Sequence, residues 1–120
     1  MLRTQQQLTG KLNEKIACQY LEKQGLVLIE RNFSCRRGEI DIIMRDKDSI
    51  VFVEVRYRRT DKFGSAMESV NIHKQKRLSL AARHYLLQTS TPLNARFDVV
   101  AISGVEPNTS IEWIKNAFGT

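Results

Sequence analysis

Between Gly38 and Arg59 two runs rich in Ile, Val and Phe flank a short polar break at Asp46-Lys47-Asp48. Runs of this kind read as strands, and the break reads as a tight turn, so the pair predicts a β-hairpin. If Lys47-Asp48 is the loop, Asp46 pairs with Ser49 and Ile43 falls opposite Phe52. The same count puts Asp41 opposite Glu54 and Glu39 opposite Arg56, with Cβ atoms roughly 5 Å apart on one face. The other face would carry Ile40, Ile42 and Met44 against Val55, Val53 and Val51, a plain apolar core. Two carboxylates thus meet above an Ile-Phe base. Like charges opposed across strands repel, so a positive group is expected between them.

The flanking chain follows the same logic. Leu8, Leu12, Ile16, Ala17, Tyr20 and Leu21 recur at helical spacing, and Gly25 is a natural stop, which predicts a first helix over about 5–24. Glu14 lies about 20° around the wheel from Leu21, at the rim of the apolar arc; a solvated surface glutamate is the plain alternative. Leu26 to Arg31 reads as a strand beside the hairpin, and Asn32 to Arg37 as a loop carrying Arg36 and Arg37. Thr60 to Ser65 is polar with no clear period. A second helix over about 71–88 would bury Leu78, Ala81, Ala82 and Tyr85. Its first turns hold Lys74, Lys76 and Arg77, cations that oppose the helix dipole and are therefore not placed for helix stability. Thr91-Pro92 breaks the chain. Strands at 96–102 and 110–114 follow, with a turn from Gly104 to Asn108, and Phe118 closes an edge of the core. Asp98 reads as a structural partner for a nearby arginine. The order α-β-β-β-α-β-β predicts an α/β fold, a mixed sheet flanked by helices in a single domain over 1–120.

Composition narrows the function. A 120-residue chain that is 42% hydrophobic can bury one real core, and a net charge of +6 favours a polyanionic partner such as nucleic acid. No apolar run approaches the roughly 20 residues that span a bilayer, and Met1 to Gln6 has no signal-peptide core. Cys18 and Cys35 form neither a metal spacing nor a disulfide framework, which points to a reducing compartment, the cytoplasm. His73 and His84 stand apart, which counts against zinc. No glycine-rich phosphate loop appears.

Two carboxylates on rigid strands, with a third from a helix, suit a hard divalent cation such as Mg²⁺ or Mn²⁺, and cations around them suit a phosphodiester backbone. The alternative is a pair of structural acids neutralised by Arg36, Arg37 or Arg56.

Asp41, twelve residues, then Glu54-Val55-Arg56 resembles the D…(D/E)-x-K signature of the restriction-endonuclease-like nucleases. Glu14 on the preceding helix resembles the helix acid of the archaeal Holliday-junction resolvases in that superfamily. The chain is more closely similar to the YraN-like protein family. Matching stretches are Gly38 to Ile43, Phe52 to Arg56, Phe63-Gly64, Lys74, and Arg96 to Val100 with Trp113-Ile114. The resemblance covers nearly the whole chain and implies a restriction-endonuclease-like core. It also implies Asp41 and Glu54 as metal ligands, with Glu14 as a third acid binding directly or through water. The implied activity is a metal-dependent endonuclease acting on structured or branched DNA, and dimeric resolvases suggest a homodimer by analogy. One departure matters: the signature ends in lysine, and position 56 is arginine. Arg56 alternates onto the face of Glu54 and could stabilise phosphate charge, but it cannot take a proton from water; pairing with Glu39 is the even alternative. Lys74 is the candidate replacement. The candidate catalytic residues are therefore Asp41, Glu54, Arg56 and Lys74. Candidate DNA contacts are Arg36, Arg37, Arg58, Arg59, Lys74, Lys76 and Arg77. A nucleic-acid-binding module with this fold and lost cleavage is the competing expectation.

Overall fold

The computed structural model describes residues 4–59, 70–89, 94–105 and 107–119. The segment from Thr60 to Ser65, with Phe63-Gly64, and the Thr91-Pro92 break lie outside the described residues. The elements are α1 (Gln5–Lys23), β1 (Val27–Cys35), β2 (Gly38–Asp46), β3 (Ser49–Arg58), α2 (Ile72–Leu87), β4 (Asn94–Val105) and β5 (Asn108–Phe118), in the expected order. All five strands form one sheet in the order β1-β2-β3-β4-β5. Neighbours run antiparallel except β3 and β4, which are parallel and joined through α2. A parallel pair needs such a crossover.

Each helix seals one face. Leu78, Ala81, Ala82 and Tyr85 of α2 pack with Phe33, Ile40, Ile43, Ile50, Phe52, Phe97 and Val99. Phe118 stacks on Phe97 at 4.9 Å between ring centroids, closing the edge as its position suggests. On the opposite face Ala17, Cys18 and Leu21 of α1 meet Ile42, Met44, Val51, Val53, Val100 and Ile102. Gly25, at φ +101, ends the chain's path out of α1. Among the described residues no helix is long and apolar enough to cross a membrane.

Several boundaries depart from expectation for tertiary reasons. The segment expected as a loop from Asn32 is strand through Cys35, leaving only Arg36 and Arg37 as the turn. Phe33, Ser34 and Cys35 find ladder partners in Ile40, Glu39 and Gly38, and pairing outweighs their polar composition. The Gly104-to-Asn108 turn shrinks likewise, because β4 runs on to Val105 and β5 begins at Asn108. Helical spacing assigns Leu8 and Leu12 to the core, yet both are about half exposed. They lie roughly 140° and 180° around the helix from Leu21, beyond the arc the sheet covers.

Candidate functional site

The β2–β3 hairpin turns at Lys47-Asp48 and keeps the expected register, with Asp46 on Ser49, Ile43 on Phe52 and Ile42 on Val53. Past that last pair the ladder stops, so Asp41 and Glu54 are not a directly opposed pair within it. An unbroken ladder would give the Val55 N–H to the Ile40 carbonyl, since hydrogen-bonded pairs alternate outward from the turn. Instead that N–H donates to Asp41 Oδ2 at 2.9 Å. Asp41 therefore sits in the fork where the two strands part.

The neighbouring strand bends at the same level. Asn32 lies between the Arg31–Ile42 and Phe33–Ile40 pairs, opposite Asp41, with φ +58. Left-handed backbone is tolerable for asparagine and poor for most other side chains. The double irregularity moves Ile40 into the α2-side core with Ile43, where strict alternation assigns it to the α1 side.

Glu54 keeps its expected face, in step with Phe52, and its side chain is 4% exposed. Lys74 Nζ from α2 and Arg56 from β3 both stand 3.4 Å from Glu54 Oε2. Charge-assisted bonds usually close to about 2.7–2.9 Å, so both contacts with the carboxylate are long ones. Burial pushes the Glu54 carboxyl up to about 8, with the Asp41 charge and a hydrogen bond to Asp41 adding to it. Lys74 and Arg56 act in the opposite direction. Near neutral pH the two acids therefore share a proton, with two cations at 3.4 Å from one of them.

Glu14 of α1 feels the charge of this pair through Asp41. Burial raises its carboxyl, and the next cause is the charge of Asp41, which places α1's acid within electrical reach of the fork. It is also engaged elsewhere. Arg31 lies 3.8 Å away, and the Asn32 amide, turned to suit both neighbours, donates to Glu14 Oε1 and accepts from Lys11 Nζ, each at 2.9 Å. Among the described residues no three His, Cys, Asp or Glu side chains are gathered as a ready ligand set. An all-oxygen pair, Asp41 and Glu54, is what remains to hold a hard cation, with Glu14 one step behind. Sequence reasoning misses Asn32 and Lys11; an asparagine able to take φ above zero within a polar run is the one signal that points to them.

The cations do not form one surface. Lys74 faces Glu54, whereas Lys76 lies about 200° further around the helix. It lines a cleft of about 400 Å³ with Ile72, Leu80 and Arg83. Arg36 and Arg37 occupy the exposed β1–β2 turn, and the next residue, Gly38, lies against the backbone of Arg77. Arg58 is half-buried near the end of β3, and Arg59, just past it, is exposed.

Known proteins bear on the chain as a whole. The model of the Uncharacterised protein family UPF0102 matches residues 13–102. A UPF0102 protein of Nitrosococcus oceani is 49% identical over 111 residues, covering 91% of this chain and 90% of its own length. One from Herminiimonas arsenicoxydans is 50% identical, covering 97% and 90%. One from Pseudomonas syringae pv. syringae is 48% identical, covering 98% of both. The matched span runs from the helix that carries Glu14 through the fork to β4, and at this identity over nearly full length the chain belongs to the UPF0102 family.

Proposed function

We propose that the protein is a divalent-metal-dependent endonuclease with a restriction-endonuclease-like core, acting on structured or branched DNA. The observation that carries this reading is the acid pair in the fork. Glu54 is buried beside Asp41, its carboxyl is raised to about 8, and its two cations stand off at 3.4 Å. A fold seeking only stability would close such a pair or replace it with apolar side chains.

Asp41 and Glu54 would hold Mg²⁺ or Mn²⁺, a choice their oxygen-only donor set supports. When bound, such an ion supplies Lewis-acid activation of the phosphoryl group. The rest falls to the chain's own side chains. The Val55 N–H fixes the Asp41 carboxylate, leaving Oδ1 as its other acceptor. Lys74 supplies an amine at the Glu54 carboxylate from α2, which answers the arginine at position 56. Arg56, on the same oxygen, stays charged and serves to bind and orient a phosphate rather than to move a proton. Arg36 and Arg37 at the turn, with Arg77 near it, favour a backbone polyanion over a small substrate.

The test is to incubate labelled branched and linear duplexes with wild type, Asp41→Asn and Glu54→Gln in Mg²⁺ or Mn²⁺. Cleavage is expected from wild type only, reduced at least ~100-fold in either variant, a loss of about 2.7 kcal/mol or more. Equal cleavage by all three, or none by wild type, overturns the reading. Arg56 favours a second one, a module that binds DNA with strong salt dependence and yields no products. In that case Arg56→Lys restores cleavage.

A further inference from the structure

Gly38 opens β2 and is buried, although it directly follows an exposed turn. The reason lies across from it. A Cβ at position 38 would stand 2.8 Å from the Arg77 carbonyl oxygen, 3.3 Å from its carbon and 3.4 Å from its Cβ. The first of these is closer than side-chain carbons approach, and its partner is helix backbone, which cannot swing aside. Its φ does not require glycine, since only Gly25 and Gly104 among the described glycines have positive φ. The requirement is closeness.

Arg77 follows Lys74 by three residues, about 4.5 Å along the axis. This close approach of α2 to β2 is therefore less than a turn from the amine at Glu54. Among the described residues, the helix start is anchored by Asn71, which caps the Lys74 N–H at 2.9 Å, and by the Gln75 amide on the Val70 carbonyl at 3.0 Å, and neither fixes its distance from the sheet. We propose that Gly38 is a positioning residue, whose missing side chain lets α2 settle onto β2 so that Lys74 reaches the Glu54 carboxylate. This deepens the nuclease reading by naming what places the amine that stands in for the signature lysine. The same contact brings the Arg36-Arg37 turn against the basic start of α2.

A graded series tests it. Gly38→Ala asks for a shift of roughly half an ångström, and Gly38→Val for more; a misplacement near 1 Å can cost about 100-fold in rate. In crystal structures the Lys74 Nζ to Glu54 Oε2 separation is expected to grow from wild type to Ala to Val, past 4 Å in the last, with the sheet unchanged. If Gly38→Val does not fold, Gly38→Ala decides the matter by the same distance. An unmoved helix, with Lys74 still on Glu54, overturns the proposal.

A double-mutant cycle with Lys74→Ala adds a readout that loosened packing alone would not produce. Gly38→Val and Lys74→Ala are each expected to lower cleavage ~10- to 100-fold, and the double variant no further than about threefold below the worse single. Multiplying losses would mean that Gly38 acts independently of Lys74, against the proposal. Wild type that neither cleaves nor binds Mn²⁺ by calorimetry would sink the nuclease reading, while the crystallographic distance still decides what Gly38 does.

Discussion

Two acids are buried in the same sheet, and they are buried differently. Asp98 is wholly enclosed, and each of its oxygens is answered. Oδ1 accepts from Arg96 Nε at 3.0 Å and from the Asn116 N–H at 2.9 Å; Oδ2 accepts from Trp113 Nε1 at 2.9 Å and from Arg96 Nη2 at 3.2 Å. Arg96 in turn reaches Asp46 at 2.9 Å. Glu54 is almost as enclosed, yet it has a second acid beside it and two cations at arm's length. Burial alone therefore does not make the two acids alike. What separates them is whether the fold has finished neutralising the charge.

The sharpest way to break this comparison is to remove each acid. Asp98→Ala takes one of two carboxylate partners from the half-buried Arg96 and leaves the Trp113 and Asn116 N–H groups without theirs, and is expected to cost about 1–3 kcal/mol in urea unfolding. Glu54→Gln replaces a carboxyl that burial and Asp41 already keep mostly protonated near pH 7, and is expected to leave stability there unchanged or raised. Equal destabilisation by the two would erase the distinction.

The pH dependence of stability carries the same contrast. Glu54 binds its proton more tightly when folded, at about 8 against an ordinary 4.5, mainly through burial and then through Asp41. Its contribution is therefore complete below pH 4.5 and drains away as pH climbs to about 8. Melting curves of wild type and Glu54→Gln should diverge across that window, with wild type losing more. Millimolar Mn²⁺ is expected to raise the wild-type melting temperature near the upper end of that window and leave Glu54→Gln unmoved. Parallel curves would mean that Glu54 is no more strained than Asp98.

Much of this is readable in the residues, and the parts that are not have a common cause. The Lys47-Asp48 break and the two-residue period set the hairpin register, and with it the side on which Glu54 lies. Tyr85 and Leu78 mark the face of α2 in the same way. The face of Ile40 cannot be read, because it depends on β1 and β2 bending together at Asn32 and Asp41, and strict alternation is blind to a bend. Lys74 can be named but not placed. Its reach to Glu54 depends on how closely α2 approaches β2, and that depends on one absent Cβ at Gly38. The polar run of β1 misleads for the reverse reason, since an edge of polar residues becomes strand when a neighbour supplies the ladder.

The two cations at Glu54 refine the comparison at smaller cost. Lys74→Ala is expected to lower metal-dependent cleavage ~10- to 100-fold, about 1.4–2.7 kcal/mol. Arg56→Ala should act mainly on DNA affinity, because a guanidinium binds phosphate and gives up no proton. Titrations and single-turnover rates on the same substrate separate the two. Matching effects on both quantities from both variants would remove the division of labour between them.

The smallest effect concerns which surface meets the polyanion. Removing one phosphate-binding cation lowers the slope of log affinity against log salt by about 0.9 for duplex DNA. Arg36 and Arg37 lie on the exposed turn next to Gly38, which sits against Arg77 of α2, so replacing both by alanine is expected to lower the slope by about 2. Lys76 carries the same charge on the same helix as Lys74 but lines the cleft with Ile72, Leu80 and Arg83. Its alanine variant is expected to leave the slope unchanged within about 0.3, a third of the effect of one such cation. Net charge falls in both cases, so a general attraction of a basic protein to DNA predicts a loss for Lys76 as well. A slope that drops for Lys76→Ala as much as for either turn arginine would show that charge alone, and not the neighbourhood of the incompletely neutralised acids, decides where the strand lies.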